Sequence, residues 1–407
     1  MREMKDSGIE WIGEIPKDWE ITKIGMLYNL RITKVSDTDY APLSVTKMGV
    51  LPQLETVAKT NAHDDRKLVK KGDFVINSRS DRRGSCGISD YYGSVSLINI
   101  VLEPKNNMSS GYYSCLFKTV QFADEFYKNG HGIVDDLWTT GWQDMKRIIL
   151  PVPHYSEQQQ IADYLDTKCS EIDATAEDIK KEISLLEDYK TSVITEAVTK
   201  GLNPDVEMKD SGIEYIGITP IHWNKYRLKY ILLERNIRTI TGEEMLLSVS
   251  QYKGVVPSKD IYNRTMQANS LIGYKIVKKD DLVFNKLNPG LARFGNSEFD
   301  GITSPDFSVY IVDDKKCTAK FLQHLLKTYK YVAKIKGDCT GVGDGFARLY
   351  SEQLYRFVVS LPPIEELHSI VAYIDSKCSE IDTLIADKKR QLDILADYKK
   401  SLIYEYV

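Results

Sequence analysis

The sequence predicts an α+β fold built twice: two globular domains in tandem, each followed by a long helix. Three observations predict it. MKDSGIEWIGEIPKDWE, from Met4, is spelled again as MKDSGIEYIGITPIHWN from Met208. Further matched segments follow in the same order through both halves. Within each half, a stretch rich in aromatics, glycines and short β-branched runs gives way to one with an apolar or small residue at every seventh position.

With 407 residues, 42% of them hydrophobic, the chain can bury more than one core and divides into about two to three domains. It contains no uninterrupted apolar run of about 18 residues, and MREMKDSGIE lacks the apolar stretch of a signal peptide. The expected location is the cytoplasm, with no membrane partner. Cysteines 86, 115, 169, 317, 339 and 378 have neither zinc-site spacing nor the density of a disulfide framework, and are expected to pack as reduced thiols. A formal charge of −4 rules out a uniformly basic protein but leaves open local basic loops.

Taken in order, the first globular domain spans 1–153. After the opening line, Leu43-Ser44-Val45 begins a strand followed by Gly-Val-x-Pro; LVKKGDFVINSR, from Leu68, reads as a Lys-Lys turn feeding a strand that ends at Asn77. NGHGIVDDLWTTGW is a Gly-rich exposed loop. The long helix 154–200 starts after Pro151 and Pro153, where Ser156 with Gln159 fits a capping box. Its seam runs Leu165, Ile172, Ile179, Leu186 and Val193, with Ile161, Ala176, Ile183 and Ala197 alongside. Gly201 and Pro204 break the chain in the linker 201–207.

The second domain, 208–362, repeats the plan through Leu247-Ser248-Val249, IVKKDDLVFNKL and CTGVGDGFARLY. Its helix, 363–407, carries Ile374, Ile381, Leu395 and Leu402 with Ile370, Ile385 and Leu392, interrupted by Lys388. Neither helix contains an internal proline or glycine, so each can run about 40 residues, about 60 Å. Each exposes an apolar stripe that needs a partner, and the other copy is the natural one; the pair reads as a stiff spacer, a docking surface or both.

Catalytic signatures are missing: the sequence has no GxxxxGK[ST], HExxH, GxSxG or strand-borne GxGxxG. Asn288-Pro289-Gly290-Leu291 resembles the NPP-aromatic motif of adenine methyltransferases but lacks its second proline and its aromatic. The six histidines are scattered, so no metal site is expected. The residues describe a binding and positioning protein.

This order of motifs, with SGIEWIGEIP at a domain start and Glu157-Gln158-Gln159-Gln160-Ile161 opening a long helix, resembles the specificity subunit of type I restriction-modification systems over essentially the whole chain. The resemblance implies two target recognition domains, each reading one half of a split, asymmetric site in double-stranded DNA. It implies that the helices form an antiparallel coiled coil with pseudo-two-fold symmetry, which sets the half-site spacing. Two methyltransferase (modification) subunits and the restriction/translocase subunits are the implied partners. S-adenosylmethionine, ATP and Mg would be used by those partners and no cofactor by this chain. The second copy departs from the pattern: Ile364-Glu365-Glu366-Leu367-His368 replaces Tyr155-Ser156-Glu157-Gln158-Gln159, losing the glutamine. The other reading is a coiled-coil protein scaffold that does not bind DNA.

Base reading favours arginine for guanine and asparagine or glutamine for adenine. The foremost candidates are Asn77, Arg79, Arg82 and Arg83 in the loop NSRSDRRG, with Asn285, Lys286, Asn288 and Arg293 at the matching place in the second domain. The alternative for these loops is a solvated turn. Lys47 and Gln53, their counterparts Gln251, Tyr252 and Lys253, and Trp138, Thr139, Thr140, Arg348 and Tyr350 in the Gly-rich loops follow. For Trp138 a core role is an equal alternative; Trp11, Trp19 and Trp223 read as core anchors. Glu157, Gln158, Lys168, Glu171, Lys377 and Glu380 are the candidates for partner docking.

Overall fold

The computed structural model describes residues 2–53, 64–79, 82–105, 108–132, 138–251, 254–261, 270–287, 289–340 and 347–407. Two compact units emerge, Met1–Lys180 with Lys389–Val407, and Lys181–Lys388. The sequence divides the chain where the helices start, whereas packing divides it within both helices.

In the first unit a four-stranded antiparallel sheet runs in the order Cys86–Ile88, Phe74–Asn77, Asn99–Pro104, Tyr28–Leu30. Its two inner strands are apolar on both faces, which the alternation of side chains explains. Phe74, Ile76, Ile100 and Leu102 enter a large aromatic core, while Val75 and Val101 point to a smaller one with Leu43, Val50, Val69 and Val95. The helices Ser110–Phe117 and Val120–Lys128 cover the large core, with Phe74 and Phe117 ring centroids 4.1 Å apart. Ser109 and Thr119 cap their first turns through the side-chain oxygen.

The second unit repeats this plan. Leu232–Glu234, Phe307–Val312, Leu282–Asn285 and Phe294–Asn296 form the corresponding sheet. Leu282 and Phe284 face the large core and Val283 the small one.

The repeated opening line is a hairpin in each unit, Met4–Asp6 with Glu14–Pro16 and Met208–Asp210 with Ile218–Pro220. Trp19 and Trp223 follow it into the cores at 6% and 1% exposure, and Trp11 packs edge-on to Phe122, so the three tryptophans expected as anchors are anchors. Each indole N–H donates to the glutamate that opens a long helix: Trp19 to Glu157 at 3.1 Å, Trp223 to Glu366 at 3.2 Å. The line therefore ties the start of each domain to the start of its helix.

The long helices are Tyr155–Lys200 and Ile364–Tyr406. The first begins at Tyr155, with the Glu157 and Gln158 amides bonded to the His154 carbonyl, so Ser156 lies inside the first turn rather than at the cap. Its hydroxyl meets the His154 ring at 3.0 Å, and the expected capping box is displaced. The heptad seam is buried or half-buried along its length, with Leu165, Ile374 and Ile370 at 0–1% exposure. In the first unit Ile161 and Leu165 share a core with Leu402, and Lys399 lies 2.7 Å from Asp173. In the second, Ala197 and Val198 share a core with Ile370 and Ile374, and Lys190 lies 2.7 Å from Asp382. In both units the end of one helix thus lies beside the beginning of the other, which is antiparallel pairing, and the same Lys–Asp pair recurs with the copies exchanged. Lys388, the break in the seam, is paired with Glu182.

Candidate nucleic-acid interface

Three loops of the first unit meet at one edge of the four-stranded sheet. The hairpin Leu43–Thr46 and Gly49–Pro52 turns through Lys47 and Met48, which are exposed. Gly49 has φ +121°, and a Cβ on Gly87 would stand 2.9 Å from the Gly49 Cα, so the hairpin rests on the strand Cys86–Ile88 with no room for a side chain. The second loop leaves the neighbouring strand at Asn77 and returns at Ser85, whose carbonyl accepts from the Asn77 amide at 2.9 Å. The third, the Gly-rich loop, is joined to the second: Arg79 and His131 both bridge Thr139, and the Thr140 amide donates to the Ser78 carbonyl at 3.0 Å.

The second unit builds the same junction from different residues. Leu287 and Thr340 both bridge Arg348, and the Leu349 amide donates to the Lys286 carbonyl at 3.2 Å. The close glycine contact recurs between Gly295 and Gly254 at 2.9 Å. The sequence placed these loops at matching positions, and the fold joins them in both units.

Individual residues divide into loop formers and exposed groups. Asn77 Oδ1 accepts from the Arg79 amide at 3.0 Å, and Asn285 Oδ1 from the Leu287 amide at 2.9 Å. Both asparagines shape their loops, the usual Asx turn, which accounts for the same residue standing at both places. Arg79 and Arg82 are exposed, as are Arg293 and Arg348 in the second unit; Lys286 is half-buried. Arg83 is ion-paired with Asp124 and lies 4.9 Å from the centre of the Tyr127 ring. Trp138 stacks on the same ring at 5.7 Å and donates its indole N–H to the Tyr127 carbonyl at 3.0 Å. Arg83 and Trp138 thus brace the junction. Thr140 is buried and donates its hydroxyl to the Phe126 carbonyl at 2.8 Å, so it offers nothing to a ligand. Tyr252, Lys253 and Asn288 lie outside the described residues.

Sequence reading missed Lys118 and Lys327, which end matching helices just after Phe117 and Leu326. The Lys327 ammonium donates to the Gln251 carbonyl at the hairpin end at 3.1 Å, and burial pushes it down to about 8. The signal was present in the shared Lys-Thr pair of FKTVQF and LKTYKY.

The docking candidates also separate. Gln158 is a correction: at 2% exposure it accepts from the Ser109 amide at 2.9 Å and donates to the Pro153 carbonyl at 2.9 Å, stapling the helix start to its own unit. Its counterpart Leu367, fully buried, fills the place with apolar contact. Glu157 is held by Arg2 and Trp19. Lys168 with Glu171, and Lys377 with Glu380, form matching pairs at 2.7 Å on the outer helix faces.

Two like units, each presenting joined loops whose side chains differ, define a duplicated recognition protein. Residues 16–185 match the family described as the type I restriction modification DNA specificity domain. The putative type I restriction enzyme MjaX specificity subunit of Methanocaldococcus jannaschii is 22% identical, the match covering 96% of this chain and 93% of that one. The MjaVIII specificity subunit of the same organism is also 22% identical, covering 96% and 92%. A solved chain from work on complex assembly and conformational transition of the type I R-M system shares the fold with a TM-score of 0.69 at 13% identity, covering 96% of this chain and 98% of that one. The HsdS subunit from Thermoanaerobacter tengcongensis gives 0.53 at 12% identity, covering 96% and 97%. Residues 16–185 thus match a type I DNA specificity domain, and over its length the chain is similar to specificity subunits of type I restriction-modification systems.

Proposed function

We propose that each unit reads one half of a split, asymmetric site in double-stranded DNA. In the first unit Arg79, Arg82 and Lys47 reach the DNA; in the second Lys286, Arg293 and Arg348 do. Asn77 and Asn285 hold the loops, and Arg83 and Trp138 brace them from behind. The observation that carries this reading is the loop junction built twice from the same backbone bridges and different side chains, which lets one frame read two different sequences.

The paired long helices set the distance between half-sites. Their outer faces, including Lys168–Glu171 and Lys377–Glu380, dock two methyltransferase subunits, and restriction/translocase subunits join that assembly. S-adenosylmethionine, ATP and Mg serve those partners, and this chain positions rather than catalyses. Among the described residues no group of three His, Cys, Asp or Glu side chains could hold a metal, and no helix is long and apolar enough to cross a membrane. Binding of the assembled complex to duplex DNA, titrated with salt, tests the reading. Neutralised phosphates give affinity that falls steeply with salt. Binding that is absent, or indifferent to salt, refutes it.

A further inference from the structure

Beneath the loop junction of the second unit lies a polar network built on Glu234, where the first unit has Leu30. The Glu234 carboxylate accepts from Lys275 Nζ at 3.3 Å and from Ser351 Oγ at 2.7 Å, and Ser351 Oγ meets the Tyr310 hydroxyl at 2.9 Å. Lys275 is 4% exposed and Glu234 29%, so the pair is largely withdrawn from water. Glu234 stands opposite Tyr310 in the sheet, as Leu30 stands opposite Leu102 in the first unit. Ser351 opens the helix Ser351–Arg356 where the first unit has Trp142 opening Trp142–Met145. Leu30, Leu102 and Trp142 are core or core-packed, so at these three places the first unit has apolar contact where the second has a polar network.

We propose that Glu234 is a positioning residue for DNA reading by the second unit, holding the two loops that carry Lys286 and Arg348 in register; this rests on the function proposed above. Both loops connect to it. Ser351 follows Arg348 by three residues, Leu349 is bonded to the Lys286 carbonyl, and Leu287 bridges Arg348. Fixing the Ser351 side chain therefore fixes the stretch in which Arg348 sits. Burial opposes the charge on Glu234, but the hydrogen bond from Ser351 and the nearby Lys275 and Lys286 ammonium groups outweigh it and hold the carboxyl below its ordinary range. Burial, with the like charge of Lys286, pushes Lys275 down.

The test uses the chain assembled with its methyltransferase subunits and a pool of randomised DNA duplexes, selected by binding and sequenced. Wild-type protein is expected to select a split sequence. For Glu234→Gln, discrimination at the half read by the second unit should fall about tenfold, the scale of one lost base contact, while the other half changes less than about twofold. Affinity for unselected duplex should hold, because no phosphate contact is removed; a role in stability alone would lower binding to every duplex. Glu234→Asp should restore discrimination in part. Ser351→Ala, which removes two bonds and no charge, should loosen the same half, and decides the matter if Glu234→Gln does not fold. Unchanged selection, or equal loss at both halves, overturns the role of Glu234. A wild-type complex that selects no split sequence overturns the underlying reading instead.

Discussion

Asp73→Ala should cost the first unit about 3 kcal/mol, and the geometry sets that figure. Asp73 is 2% exposed and receives two bonds from Arg31, itself 9% exposed, at 2.7 and 2.9 Å; the Lys70 amide donates a third at 2.8 Å. Removing one partner of a buried pair strands the other charge, at about 3–5 kcal/mol. Glu103 lies 3.0 Å from Arg31 and is half-exposed, which leaves the guanidinium one acceptor and places the cost at the lower end. At about 1.4 kcal/mol per tenfold, the opened state of the strand Phe74–Asn77 becomes about 100-fold more populated. Hydrogen exchange of its amides measures this without requiring the whole chain to unfold in one step. Replacing both partners, Arg31→Met with Asp73→Leu, should recover all but about 1 kcal/mol, the residue being the orphaned Lys70 amide. The second unit repeats the device, Arg235 bonding Asp281 at 2.8 and 3.1 Å, so Asp281→Ala should loosen Leu282–Asn285 in the same way. A cost below about 1 kcal/mol, or a double variant as unstable as the single one, would mean that no stranded charge sets the stability here.

Other outcomes follow from the same geometry. Arg79→Ala with Arg82→Ala should weaken DNA binding by the assembled complex by at least about 1 kcal/mol and leave assembly intact; unchanged affinity at moderate salt would remove that loop from the interface. Leu165→Ala, in a fully buried seam position, should destabilise the first unit by about 3 kcal/mol, seen as faster exchange of amides in the helix. His324 is half-buried and the loss of water around its ring pushes it down to about 4, so the folded state resists its protonation. Stability from the neutral ring is complete above the ordinary histidine value of about 6.5 and is lost as pH falls toward 4, by about 1–2 kcal/mol at pH 5; His324→Phe should flatten that slope in the second unit. Reversing the charge of Glu171 and Glu380 should reduce methyltransferase co-purification, and full retention would take those residues out of the dock.

The repeat made most of the fold legible. Residues on which the copies agree are those that build the frame: Trp19 and Trp223 in the cores, Glu157 and Glu366 receiving their indoles, Asn77 and Asn285 turning the loops. The heptad seam was readable because burial along a helix follows sequence period directly. Roles decided by tertiary contact were not readable. Gln158 looked like a docking residue and is an internal staple, because its partners, Ser109 and Pro153, are fixed only by the fold. Arg83 looked like a ligand for DNA and Trp138 like a ligand or a core residue, and the two meet on Tyr127, a residue that no spacing connects to them. The Glu234 network draws on Lys275, Tyr310 and Ser351 from three separate elements, and nothing local marks it.

Two units that read two halves of one site at a spacing set by the helices would leave a defined methylation pattern. Mapping methylated adenines in DNA exposed to this chain assembled with its methyltransferase subunits tests it most directly. Methylation is expected within a split sequence of two unlike halves separated by a fixed gap. Methylation of a single uninterrupted sequence, or a pattern unchanged when this chain is omitted, would contradict it.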